Sequence, residues 1–199
     1  MKQAEAKERI LAAGMELVPV YGYNATGLDA VLKKAGVPKG SFYHHFGAKE
    51  NFGLALIERF AAEYAVKLDG FLLDAAHPPL RRIDNYLDHT IRHLEERNFS
   101  RGCMAGNLGQ ELADQNERVR KRLAAVFEEW LGKFAACIAE AQQRGELDGS
   151  LDAGSIARFL LSGWEGAILQ AKVLRSVEPL RNFRAVLREI VLRCDAAPR

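Results

Sequence analysis

Three stretches of the sequence carry side chains able to do chemistry. The first is SRGCMAGNLGQELAD, residues 100–114. Cys103 follows Arg101 and Gly102 at the predicted start of a short helix. A helix N-terminus and a neighbouring guanidinium both favour the thiolate, the nucleophilic form of cysteine. Asn107, Gln110 and Glu111 recur at three- and four-residue spacing and can line one side of a cavity with polar groups. The same stretch also suits a small buried cysteine on a packing surface, since free cysteine is among the most buried residue types. Local chemistry leaves both readings open.

The second stretch is TGLDAVLKKAGVPKGSFYHHFGAK, Thr26 to Lys49. Between Ala30 and Lys49 it holds four lysines and no carboxylate. Residues 1–50 carry 7 Lys/Arg against 5 Asp/Glu and residues 51–199 carry 21 against 21, so the formal excess of +2 lies in the first quarter. Lys39, Ser41, Tyr43, His44 and His45 fall outside or beside the apolar pair Phe42 and Phe46. Lysine and histidine meet phosphates, serine and tyrosine hydroxyls reach phosphates or base edges, and Gly40 permits close backbone approach. These are the groups a DNA major groove requires, although a solvated basic face of an ordinary helical hairpin has the same composition.

The third stretch is HTIRH, with His89 and His93 four apart on a predicted helix. That spacing can hold a metal, but no third ligand is evident nearby, so packing or solvation is the expected role and no metal is expected. No Gly-rich phosphate loop, Ser/His/Asp pattern or CxxC pair is present, so neither a cofactor nor an enzymatic activity is expected. An enzyme using Cys103 as nucleophile would lack an adjacent general base in sequence.

The elements that must position these residues are all helical. Leu28, Val31, Leu32 and Ala35 form the inward face of a short helix. Thr26 is expected to cap it, with Asp29 completing an acidic capping box. Gly36 supplies a turn with positive φ, Val37 fills the corner, and Pro38 opens the next helix. Upstream, residues 2–21 form a helix with a stripe of Ile10, Leu11, Gly14, Leu17, Val18 and Tyr21, ended by Pro19 and Gly22. A fourth helix starts near Ala48 and runs through Phe52, Leu56, Phe60, Tyr64 and Leu68.

Further helices are predicted over 81–96, 104–113, 116–144, 153–174 and about 179–193, separated by Pro78-Pro79, the turn 98–102, Gly145 and Gly149, and Glu178-Pro179. Ile156, Phe159, Leu160, Gly163, Ala167 and Ala171 form one stripe and Leu180, Phe183, Leu187 and Ile190 another, with Gly163 and Ala167 small enough for close helix approach. There is no strand-period segment and no internal repeat. The fold class is all-α, divided into a helix-turn-helix domain at 1–47 and a helical domain at 48–199.

A chain of 199 residues with 48% hydrophobic content buries enough surface to fold without disulfides. Three cysteines at wide spacing suit reduced thiols, with Cys137 and Cys194 structural. The longest charge-free run, Leu17 to Leu28, has twelve residues, short of the roughly 18 a membrane span needs. MKQAEAKERI lacks the apolar core of a secretion signal, so a cytoplasmic location is expected.

VPKGSFYHHFGAKENF, continued upstream through ILAAGMELVPVYGYNATGLDAVLKKAG, resembles the recognition segment of the TetR family of bacterial transcription regulators over roughly residues 5–60. The resemblance implies a homodimer that reads a palindromic double-stranded DNA operator and is released by a small-molecule effector. Thr26 and Lys49 would hold phosphates, while Lys39, Gly40, Ser41, Tyr43 and His44 would lie at the groove. The last two long helices would build a dimer bundle. Arg-Gly-Cys, then Asn-Leu and Gly-Gln-Glu, together with GWEGAILQAK at 163–172, is similar to one branch of that family. Members of the branch sense reactive electrophiles, acrylate-like or maleimide-like, and repress genes for detoxifying reductases. This resemblance implies a sensing role for Cys103 and effector contacts from Asn107, Glu111 and Trp164; Met104 departs from the commoner leucine. A reversibly bound hydrophobic ligand is the alternative effector.

Overall fold

The computed structural model describes residues 2–192, with the side chains of all of these except residues 2, 3 and 190. Among the described residues the secondary structure is helical throughout. α1 spans Lys2–Tyr21, α2 Leu28–Ala35, α3 Lys39–Phe46, α4 Lys49–Leu72 and α5 Pro79–Glu96. α6 spans Met104–Leu112, α7 Glu117–Gln143, α8 Ala153–Leu174 and α9 Glu178–Val186. The expected last helix is interrupted: α9 stops at Val186 and a π-helical turn, Leu187–Val191, follows it. Cys194 lies outside the described residues.

Packing divides the chain into two compact units. One gathers the chain up to Glu63 together with Cys103–Val126; the other gathers Tyr64–Gly102 and the chain from Phe127 onward. The borders fall inside α4 and α7. α6 and the first third of α7 thus pack with the N-terminal helices.

In the first unit α1 packs on both α2 and α3. Ile10, Leu11 and Val18 of α1, Val31, Leu32 and Ala35 of α2, and Phe42 and Phe46 of α3 are buried. Burying each of these Ile, Leu, Val and Phe side chains stabilises by about 1.5–3 kcal/mol. Phe42, Phe46 and Phe52 form a triangle of rings 5.2–5.5 Å apart, which fixes α3 on the start of α4. Ion pairs brace the outside, with Arg59 of α4 on Glu8 of α1 at 2.8 Å and Arg122 of α7 on Glu58 of α4 at 2.6 Å.

Two expectations about α1 and α2 are corrected. Tyr21 is exposed, not part of the buried stripe, because α1 ends there and Gly22 turns the chain with φ +86°. Tyr23, two residues on, is buried in its place. The capping box at Thr26 does not form: the cap position is Gly27, with no side-chain bond. The Thr26 hydroxyl instead donates back to the Gly22 carbonyl at 2.5 Å. Pro38 likewise occupies the cap position of α3, one residue before its first turn.

The second unit is organised around Arg82 and Asp84 on α5. Arg82, buried, donates to the carbonyls of His77 and Leu72 and to the Glu140 carboxylate at 2.8 Å, joining the end of α4, the start of α5 and α7. Asp84 receives two bonds from Arg184 of α9, at 2.7 and 2.8 Å. α8 and α9 approach closely where Gly163 faces Phe183; a Cβ at 163 would stand 2.2 Å from that ring. Phe159 departs from its predicted stripe, being half exposed and stacked on Phe183 at 6.0 Å. His89 and His93 stack with ring centres 5.9 Å apart, and Phe71 packs on His89 at 5.1 Å.

Candidate functional site

The sequence forms α2, a tight turn and α3 because Gly36 adopts φ +63°, ψ +41° and ends α2. Its N–H and that of Val37 return to the Leu32 carbonyl, closing the last turn in the manner of a Schellman cap. Arg9 of α1 donates to the Gly36 carbonyl at 3.2 Å, so the turn is held from behind as well. At the other end of α3, Asn51 donates to the Phe46 carbonyl at 2.8 Å.

With Phe42 and Phe46 inward, α3 presents Lys39, Gly40, Tyr43 and His44 to solvent, with Ser41 and His45 half-buried beside them. Tyr43 stands edge-on to Phe42 at 5.6 Å, and the His44 and His45 rings are 4.9 Å apart. The exposed set therefore lies along one short helix with donors at its first turn and rings at its last. A helix of this size fits a major groove about 12 Å wide.

Thr26 and Lys49 lie beyond the two ends of this motif and are tied to the loop between α1 and α2. Thr26 is buried, its hydroxyl turned to Gly22. Lys49 sits with Nζ 4.9 Å above the Tyr23 ring and 3.4 Å from the Asn24 carbonyl. The Tyr23 hydroxyl donates to the Lys49 carbonyl at 2.5 Å. Burial, assisted by the Glu50 charge, pushes the Tyr23 phenol up to about 12, so it remains a donor at every physiological pH.

The other predicted set is only partly brought together. Cys103 occupies the cap position of α6, half-buried, and its carbonyl accepts the Asn107 N–H at 3.0 Å. Asn107 and Glu111 follow it at one and two turns along α6. Glu111, however, directs its carboxylate at backbone: Oε1 accepts from Tyr23 N–H at 3.1 Å and Oε2 from Asn24 N–H at 3.0 Å. Trp164 belongs to the second unit, on α8, fully buried with its indole N–H unpaired and Phe183 5.9 Å away. Glu165, beside it on α8, is half-buried.

Cys137 differs from Cys103 in kind. It is buried, its thiol donates to the Pro79 carbonyl at 3.4 Å, and burial pushes that thiol up to about 11. Sequence reasoning missed Tyr23. The signal available was a tyrosine directly after a glycine that ends a helix; that Gly53 leaves room for its ring is visible only in the structure.

Comparison with known proteins agrees with this geometry. Residues 10–56 match the model of bacterial regulatory proteins of the tetR family, and residues 79–187 match the tetracyclin repressor-like C-terminal domain. The transcriptional regulator AcuR of Cereibacter sphaeroides is 40% identical over 178 residues, covering 89% of this chain and 81% of that protein. The transcriptional repressor DhaR of a Mycobacterium species is 34% identical over 192 residues, covering 96% and 95%. The crystal structure of the reduced form of Escherichia coli NemR superposes with a TM-score of 0.89 at 32% identity, covering 96% of this chain and 99% of NemR. With the helix-turn-helix in place and both halves matched, the chain belongs to the TetR family of DNA-binding transcription regulators.

Proposed function

We propose that this protein is a homodimeric repressor that binds a palindromic double-stranded operator and releases it when a small electrophile adds to Cys103. The observation that carries the reading is the placement of Cys103, at the cap of α6, in the same compact unit as the helix-turn-helix. Two named relatives, DhaR and NemR, are transcriptional repressors, and the NemR structure is of a reduced form, which supports a reading in which thiol state matters. Operator contacts are assigned to Lys39, Gly40, Ser41, Tyr43 and His44 at the groove and to Lys49 and Thr26 at phosphates. The Thr26 hydroxyl leaves Gly22 to make its contact. No helix among the described residues is long and apolar enough to cross a membrane, and the proposed site of action is the cytoplasm, where the operator is. The role is regulatory, not enzymatic.

The sensing step is a conjugate addition. The Cys103 thiolate attacks the β-carbon of an α,β-unsaturated carbonyl compound, and a C–S bond forms. The alkene π pair moves onto the α-carbon as an enolate, which takes a proton from water. The adduct adds volume at the first turn of α6, where overpacking costs about 1–3 kcal/mol. Strain of that size moves a two-state equilibrium by about tenfold, provided that the DNA-bound and free packings tolerate the adduct unequally.

N-ethylmaleimide is a suitable probe. Operator binding before and after treatment, in wild type and Cys103→Ser, should show release in wild type alone, with the adduct mapped by mass to Cys103 ahead of Cys137. Equal release in Cys103→Ser, or an adduct chiefly on another cysteine, refutes the thiol reading. A reversibly bound apolar ligand bearing a hydrogen-bond acceptor is the second reading, favoured by the buried, unpaired indole N–H of Trp164.

A further inference from the structure

Glu111 joins α6 to the loop that carries the phosphate-contacting end of the motif. Its two oxygens accept the N–H groups of Tyr23 and Asn24, residues 88 and 87 positions away in sequence. Those N–H groups lie just beyond the end of α1 and are not used by its helix. Gly22 makes room for the carboxylate: a Cβ there would stand 2.9 Å from Glu111 Oε1, in a backbone with φ +86°. The loop is gripped equally from its other side. The Tyr23 ring lies against Gly53 of α4, where a Cβ would meet it at 2.9 Å, and its hydroxyl holds the Lys49 carbonyl. Lys49 in turn covers that ring and approaches the Asn24 carbonyl. A continuous line of hydrogen bonds therefore runs from the last turn of α6, through two backbone amides and a phenol, to the first residue of α4.

We propose that Glu111 is a positioning residue for operator binding, its carboxylate holding the Tyr23–Asn24 loop where Lys49 and Thr26 reach the phosphate backbone. This rests on the DNA-binding reading above. A carboxylate so close to a phosphate site would repel DNA if its lone pairs were free. Here they are directed at two amides, and the Lys49 ammonium, over the Tyr23 ring and beside the Asn24 carbonyl, is the charge held next to the same loop. The arrangement also makes α6, with Cys103 at one end and Glu111 two turns on, the element whose displacement opens the grip on the loop.

The test is a double-mutant cycle on operator affinity, using full-length protein and an operator selected from a randomised double-stranded pool. Glu111→Gln keeps the shape but removes the charge and turns one acceptor into a donor facing an amide. It should weaken binding about tenfold, the scale of a lost charged hydrogen bond. In a Lys49→Ala background that effect should largely vanish, because residues that act through one another are non-additive. Tyr23→Phe, which removes the phenol link without touching Glu111, should show the same non-additivity and carries the test if Glu111→Gln does not fold. A Glu111→Gln protein that binds as wild type, or an effect that adds fully to Lys49→Ala, overturns the positioning role and leaves Glu111 a brace of the fold. Failure of wild type to retain any double-stranded DNA would instead overturn the DNA-binding reading itself.

Discussion

In the proposed reading Lys49 and Tyr43 both contact the operator, but their chemistry assigns them opposite signatures. A lysine over a phosphate contributes by releasing counterions and has no view of the bases. Lys49→Ala should therefore weaken binding to specific and nonspecific DNA alike and reduce the slope of log affinity against log salt by about one. A salt titration on both kinds of DNA decides this; a sequence-selective loss with unchanged slope would rule the phosphate role out. Tyr43, half exposed and propped edge-on by Phe42, projects from the middle of α3, and Ser41 lies half-buried half a turn before it. Replacing either should relax discrimination at particular operator positions, by about 1–3 kcal/mol per lost base contact. Binding to a randomised operator library reads that out, and an unaltered base preference in both variants would show that these residues do not read sequence.

Among the elements, α5, α8 and α9 are joined by one charged cluster and one close contact, and each makes a prediction. Burial opposes the charge on Asp84, yet the bidentate bond and charge of Arg184, with Arg188 and Arg81 nearby, hold its carboxyl below the usual 3.8. A depressed folded-state value gives stability that is present above 3.8 and is lost as pH falls through the folded value. Asp84→Asn should thus lower the unfolding midpoint at neutral pH, where breaking a buried pair costs about 3–5 kcal/mol. The difference from wild type should shrink as the pH falls below 3.8; denaturant melts across that range check it. At Gly163, alanine improves helix propensity by about 1 kcal/mol, but its Cβ would overlap the Phe183 ring. Overpacking of about 1–3 kcal/mol should prevail, so Gly163→Ala melts lower than wild type, and Gly163→Ala with Phe183→Leu recovers part of the loss.

These elements also show what was legible in the chain. Helical period located every helix, because buried faces repeat at 3.6 residues whatever lies opposite them. Val31, Leu32 and Ala35 needed no partner to be read as inward, and Gly36 no context to be read as a turn. The fit of Phe183 into the space at Gly163 could be read only as permission for close approach, since the stripe names the small residue but not what fills it. Tyr21 and Tyr23 exchanged places because one glycine reverses the chain between them. Glu111 was legible as a polar residue on α6, but not its amide partners, which have no side-chain identity and lie 87 and 88 residues away.

At the scale of the whole molecule, α8 shows two faces. Ile156, Leu160, Trp164, Ala167 and Ala171 face the core. On the opposite side Phe159, Gly166 and Val173 recur every seven residues with Leu169 between them, and Val173 is 72% exposed. A Cβ at Gly166 would meet nothing within 4 Å. Apolar residues repeating every seven positions along a helix, with a small residue at the centre, form a seam that a second helix can enter. A second copy of this chain is the proposed occupant, since the palindromic operator proposed above would require two reading units related by a two-fold axis, with half-sites about 34–36 Å apart or a multiple of that. Leu169→Glu with Val173→Glu places carboxylates in the seam and should yield a monomer by sedimentation. Because two linked half-site contacts strengthen each other by roughly 10²–10⁴, the monomer should lose affinity for the full operator by at least about a hundredfold. Its affinity for an isolated half-site should match that of wild type, since nothing in the first unit has changed. A double variant that remains dimeric would place the interface elsewhere on the surface, and a monomer that binds the full operator as tightly as wild type would separate operator recognition from dimerisation altogether.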